Sequence, residues 1–219
     1  MSISDSLKEI KNELPEGVTL VAISKTRPNE DLMEAYNAGQ RVFGENKIQE
    51  MTRKWEELPK DIEWHMVGKV QRNKVKYMAP YVSLIHGVDS LKLLKEIEKE
   101  ASKNEKLINC LLQIKIAEED TKNGITLDEA KEALNSAEYK SMNHVKIVGL
   151  MGMATLTEDE AKVRKEFSYL KTCFDGLKET HPAFEILSMG MSGDYRTALE
   201  CGSNMVRIGS AIFGERNYN

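Results

Sequence analysis

The sequence predicts an α/β protein built as a single (β/α)8 barrel with a helix at its N-terminus. Three observations lead there. Short apolar runs rich in Val and Ile alternate with charged segments whose apolar residues recur every three or four positions, a strand-then-helix rhythm. Eight such runs can be counted, the number that closes naturally into a barrel. Runs such as VTLVAIS and NCLLQIKIA are apolar almost throughout, as expected when helices cover one face of a strand and a barrel interior the other. An open doubly wound sheet is the competing architecture, and the missing Gly-rich dinucleotide fingerprint lowers it.

In chain order, an amphipathic helix over about residues 2–14 comes first. Strands are expected at 20–24, 41–44, 63–67, 82–87, 109–116, 146–151, 185–188 and 206–208. Between them the helical spacing of apolar residues marks 29–38, 47–57, 71–78, 90–103, 127–138, 158–179 and 194–200, and the N-terminal helix supplies the eighth. No linker or low-complexity tract interrupts the series, so one domain is expected over residues 1–219.

Composition narrows the function. Hydrophobic residues at 41% and charged residues at 30% suit a soluble folded chain. A net charge of −4 gives no global basic field for a nucleic-acid backbone, so any phosphate must be held locally. Cys110, Cys173 and Cys201 are odd in number, far apart and without a CxxC pair, which argues against a disulfide framework or a zinc site. No apolar run reaches membrane length and the N-terminus lacks a signal pattern, so a cytoplasmic protein is expected.

In a barrel of this kind, functional groups gather where strands end. Lys25 follows the apolar run Val21-Ala22-Ile23 and would face the barrel mouth, where partial burial favours the neutral amine that attacks an aldehyde. Position alone favours a lysine that snorkels to solvent, and only its neighbours change that. The turns SMGMSGD and RIGSAIFG after the last two strands offer glycines for close approach, the hydroxyls of Ser192 and Ser210, and the N–H groups of the helix starting near Asp194. Either turn alone reads as an ordinary turn. Together, beside Lys25 in a closed barrel, they point to a phosphorylated aldehyde. Asn46 and His65 are candidate hydrogen-bonding groups at the same mouth, and His65 and His86 could approach one another without a carboxylate to complete a metal site. The run Lys69, Arg72, Lys74 and Lys76 reads as a solvated helix face able to attract an anion.

The motifs SKTRP (24–28), FGEN (43–46), WHMVGKVQRNK (64–74), GLMGM (149–153), LSMGMSGDY (187–195) and VRIGSAIFGER (206–216) resemble the pyridoxal 5′-phosphate (PLP) homeostasis protein family, nearly end to end and in order. The resemblance implies an alanine racemase-like barrel of PLP fold type III and vitamin B6 cofactor PLP held as a Schiff base. It makes Lys25 the Schiff-base lysine, Ser192 with Gly209 and Ser210 the phosphate cup, and Arg207 the partner of the pyridine nitrogen, with Asn46 and Met191 near the cofactor. Departures are small. Arg27 stands where many members have lysine, Val70 where leucine is common, and Ser210 is threonine in some; the loop 121–124, with Lys122, departs from the usual Lys-Ser-Gly pattern and is assigned no role.

An arginine at the pyridine nitrogen can only donate, so it disfavours protonation there and weakens the ring as an electron sink. The sequence ends shortly after the last strand, so the extra domain that supplies a second base and the dimer contact in alanine racemase is expected to be lacking. The expectation is therefore a monomeric PLP carrier that delivers cofactor to apo-enzymes without turnover, with neither catalytic residues nor metal. A PLP-dependent racemase using Lys25 and a second base such as His65 is the alternative, and a Schiff-base aldolase barrel without PLP is the third reading.

Overall fold

The computed structural model describes residues 2–118 and 124–215. Eight parallel strands close into a barrel in sequence order, β1 pairing with both β2 and β8. They are β1 (Thr19–Ile23), β2 (Val42–Glu45), β3 (Glu63–Met66), β4 (Val82–Val88), β5 (Ile108–Gln113), β6 (Val145–Met151), β7 (Ile186–Ser188) and β8 (Met205–Ile208). The helices are α1 (Ile3–Glu13), α2 (Asn29–Asn37), α3 (Ile48–Glu57), α4 (Val75–Met78), α5 (Leu91–Lys103), α6 (Leu127–Asn135), α7 (Ala137–Lys140), α8 (Glu160–Lys178), α9 (Tyr195–Glu200) and α10 (Ser210–Phe213). All eight expected strands are present. Among the described residues no helix is long and apolar enough to cross a membrane.

The differences from expectation have local causes. The segment 71–78 is a 3-10 turn (Arg72–Lys74) leading into the single turn of α4. The helix expected over 127–138 breaks at Ser136, whose extended backbone ends α6 and starts α7 while its hydroxyl donates to Ala133 O at 2.7 Å and accepts from Tyr139 N at 3.1 Å. The strand expected to run to residue 116 stops at Gln113, because Gln113 O and Lys115 N pair instead with the two sides of Ile125. α10 was not expected.

The larger core lies between strands and helices, where Leu32, Met51, Leu93 and Phe167 of the helices meet Phe43, Trp64, Ile85 and Leu112 of the strands. Burying each such side chain contributes roughly 1.5–3 kcal/mol. Strand alternation turns the other set inward, where Val21, Leu84, Leu111, Val148, Met151 and Met205 fill the barrel. Gly149 allows β6 to meet β7, since a Cβ there would lie 1.8 Å from Ile186 O. Above the apolar plug the inward positions become polar, and these lead to the mouth.

Candidate functional site

Lys25 lies two residues past the end of β1 and is half-buried. Alternation points its predecessor Ser24 outward, where the buried Ser24 hydroxyl donates to Glu45 Oε1 at 2.7 Å and its N–H to Gly44 O at 3.0 Å. Lys54, fully buried on α3, donates to Ser24 O and Glu45 Oε1, both at 2.7 Å, and to Glu50 Oε1 at 2.8 Å. Glu50 Oε1 also accepts from Thr26 N at 2.6 Å. Thr26 has φ +65°, an unusual conformation for a β-branched residue. Burial raises the Glu45 carboxyl above its usual range, with the nearby Lys54 acting against that shift.

Beside β1 in the closed barrel, the turns after β8 and its neighbour β7 meet. The Ser192 hydroxyl accepts from Gly209 N at 3.3 Å and Ala211 N at 3.5 Å. Gly190 has φ +97°, and a Cβ there would lie 2.7 Å from the Ala198 Cβ, so only glycine lets this turn pack under α9. The start of α9 differs from the expected anion site: Asp194 Oδ1 accepts from Met191 N at 2.5 Å and puts a carboxylate there. The amides facing Ser192 come instead from the turn into α10. Arg27 spans this side too, its guanidinium donating to Gly214 O and, at 3.1 Å, to Glu215 O.

Two adjoining clefts of about 240 and 270 Å³ open here, and Ile23, Lys25, Met191 and Arg207 line both. The first adds Asn46, Val67, Gly68, Lys69, Gln113 and Met153. The second adds Arg27, Leu156, Ser192, Gly193, Gly209, Ser210 and Gly214. All the expected site residues, Lys25, Asn46, Met191, Ser192, Arg207, Gly209 and Ser210, thus line one of the two or both. Gln113 and Arg27 were missed. Gln113 ends its strand and Arg27 lies two residues beyond Lys25, so the strand-end rule marks both once the boundaries are right.

His65 departs from expectation. It lines neither cleft, and lies 4% exposed beneath them, with Nδ1 3.1 Å from Nε2 of His86. His86 Nδ1 lies 3.1 Å from Ser188 Oγ, which accepts from Arg207 Nη1 at 2.7 Å; Arg207 Nη2 donates to Gly152 O at 3.0 Å. This chain of side chains crosses the barrel and ends at the mouth. Burial pushes His65 down to about 3 and His86 well below its ordinary value, the latter helped by the neighbouring His65 and Arg207. Both rings are therefore neutral at pH 7. Burial lowers Arg207 to about 10, which leaves it charged. A base of this depth and basicity is unsuited to proton abstraction at the mouth.

Lys69, Arg72 and Lys76 are exposed, as expected for a solvated face, and Lys47, Lys69 and Lys74 line a neighbouring cleft of about 510 Å³. Lys122 lies outside the described residues.

The donor set suits a compact ligand with three features. A lysine amine lines both clefts where a carbonyl could reach it, hydroxyls and amides lie to one side for a phosphate, and Ile23, Val67, Met153 and Met191 offer apolar walls for a flat ring, with the buried Arg207 guanidinium lining both clefts. The fold and these clefts define a parallel barrel with a lysine amine and a pair of serine- and glycine-bearing turns at its mouth.

The family profile described as alanine racemase, N-terminal domain, matches residues 2–217. A curated relative, the pyridoxal phosphate homeostasis protein of Aquifex aeolicus, is 42% identical over 202 residues, covering 91% of this chain and 87% of the relative. PipY of Synechococcus elongatus, solved with PLP bound, superposes with a TM-score of 0.89 at 32% identity, over 97% of this chain and all of that one. The alanine racemase of E. faecalis superposes with a TM-score of 0.70 at 16% identity, over 98% of this chain and 58% of that one, a likeness of fold alone. The chain belongs to the alanine racemase N-terminal-domain family and, within it, to the pyridoxal phosphate homeostasis proteins.

Proposed function

We propose that this protein binds PLP through a Schiff base on Lys25 and serves intracellular PLP homeostasis, handing the cofactor to apo-enzymes without turning over a substrate. The observation that carries this reading is the convergence of Lys25, Arg207 and the Ser192–Gly209–Ser210 turn pair around two clefts that share Lys25 and Arg207. Family membership and the PLP held by PipY support it. Bound PLP supplies an aldehyde for the lysine and a pyridine ring able to withdraw electrons.

The protein's own groups divide the work. Ser192, Gly209 and Ser210 would hold the phosphate, Asn46 and Met191 would lie against the ring, and Arg207 would serve the pyridine nitrogen. Because Arg207, with a pKa of about 10, stays charged and can only donate, it would oppose protonation of that nitrogen and leave the ring a poor sink for a carbanion. His65, the residue named as a second base for a racemase, is buried away from the clefts with a pKa of about 3. Both points favour holding over turnover. On this reading residues 1–219 form one domain that works as a monomer in the cytoplasm.

The test has two arms. PLP-loaded protein is mixed with an apo PLP-dependent enzyme, and recovered activity is followed; amino acids are incubated with the loaded protein in deuterated water, and exchange of the α-hydrogen is measured. Recovery of the apo-enzyme without exchange above that caused by PLP alone is expected. Stereospecific exchange well above that background would establish the racemase reading instead.

A further inference from the structure

We propose that Lys54, Glu45 and Glu50 are positioning residues for Lys25: a buried ion cluster behind the barrel wall that fixes the two peptide groups flanking the lysine. The inference rests on the Schiff-base reading above and deepens it.

Lys54 lies on the buried face of α3 with Ile48 and Met51, at a spacing where a third apolar side chain would ordinarily stand. Its ammonium is completely enclosed, yet each of its three protons has an acceptor: Ser24 O, Glu45 Oε1 and Glu50 Oε1. Packing does not demand this arrangement, since apolar replacements for buried ion pairs are often neutral or stabilising. The cluster even leaves Glu45 Oε2 buried without a hydrogen bond among the described residues. What it accomplishes is local. Lys54 grips the carbonyl before Lys25, and Glu50 grips the N–H after it. Between these grips the chain enters the φ +65° conformation of Thr26, which persists only when the surroundings over-determine it.

Lys25 therefore leaves the wall along a direction set from outside the barrel. The direction matters for the covalent step. The neutral amine adds to the aldehyde carbon, a C=N bond forms, and both amine protons depart with the aldehyde oxygen as water. That step depends on alignment between amine and carbonyl, whereas the phosphate contacts are assigned to Ser192, Gly209 and Ser210 in the turns after β7 and β8, which the cluster does not touch. Loosening the cluster should slow the covalent step and spare the rest.

The experiment compares wild-type protein with the double variant Glu45→Met/Lys54→Met, which removes both enclosed charges together, and with Glu50→Ala. Glu50 is partly exposed at its side chain, and its removal leaves the Lys54–Glu45 pair in place while freeing Thr26 N, so it serves if the double variant does not fold. Two quantities are read: the rate at which PLP becomes borohydride-trappable on Lys25, by peptide mass, and the dissociation constant of 4-deoxypyridoxine 5′-phosphate, which lacks the aldehyde. A tenfold or greater fall in the trapping rate, with the analogue's affinity within twofold of wild type, is expected. An unchanged trapping rate in a folded variant, or a parallel loss of both quantities, would overturn the positioning role. If wild-type protein binds the analogue but forms no adduct on Lys25, the Schiff-base reading itself fails and the positioning role goes with it.

Discussion

Acid should weaken this fold through the His65–His86 pair at pH values where few carboxylates have begun to titrate. Both rings are buried and neutral in the folded protein, His65 with a pKa of about 3 and His86 well below its ordinary value. In the unfolded chain each titrates near pH 6.5. A histidine whose folded pKa is depressed binds fewer protons folded than unfolded, so its stabilising contribution is intact above pH 6.5 and is lost as pH falls below it. The loss runs at about 1.4 kcal/mol per pH unit for each ring. At pH 5 this amounts to about 2 kcal/mol per ring and about 4 kcal/mol for the pair, a large part of the 5–15 kcal/mol that usually holds a domain together. Glu45, with its raised pKa, acts in the opposite sense and is present in every variant compared. The assay is urea unfolding at pH 7, 6 and 5, in wild-type protein and in His65→Leu/His86→Met, whose pair can no longer titrate. Wild-type protein should lose about 4 kcal/mol more than the double variant between pH 7 and 5. Parallel pH dependences, within roughly 0.5 kcal/mol per pH unit, would show that the rings are not held neutral as their burial requires.

Two further substitutions probe separate parts of the molecule. Ser192→Ala removes the hydroxyl that meets the amides of Gly209 and Ala211, and should weaken a phosphorylated pyridoxal compound about tenfold while leaving pyridoxal itself unaffected; equal effects on both in a titration calorimeter would remove Ser192 from the phosphate cup. Gly149→Ala drives a Cβ into Ile186 O, so the β6–β7 pairing must separate, and a loss of about 3 kcal/mol or more, or failure to fold, is expected from denaturant unfolding; a variant as stable as wild type would contradict the close approach.

The barrel was legible because parallel strands covered on both faces leave continuous apolar runs, and the charged, periodic helices between them stand out. The same property hid where β5 ends. Ile114 and Ile116 are apolar and buried, so hydrophobicity continues past the last paired residue, and Gln113 looks like a mid-strand residue when it in fact stands at the mouth. The amides opposite Ser192 were misassigned because α10 is four residues long, too short for any periodic signal, whereas the segment at Asp194 carried the conventional marks of a helix start. The approach of His65 to His86, 21 residues on, was expected, but His65 was read as a mouth residue because nothing local reveals its depth or the link from His86 to Ser188, which lies 102 beyond His86. Lys54 is an intermediate case. Its segment, IQEMTRKWEE, looks solvated, but counting in threes from Ile48 through Met51 arrives at Lys54 on the buried face.

PLP binding by this protein turns on Lys25. Protein incubated with PLP should show a visible absorbance band that disappears on borohydride treatment, with the pyridoxyl adduct mapped by peptide mass to Lys25 and lost in Lys25→Ala. A band that persists in Lys25→Ala, or an adduct confined to other lysines of the folded protein, would contradict the account.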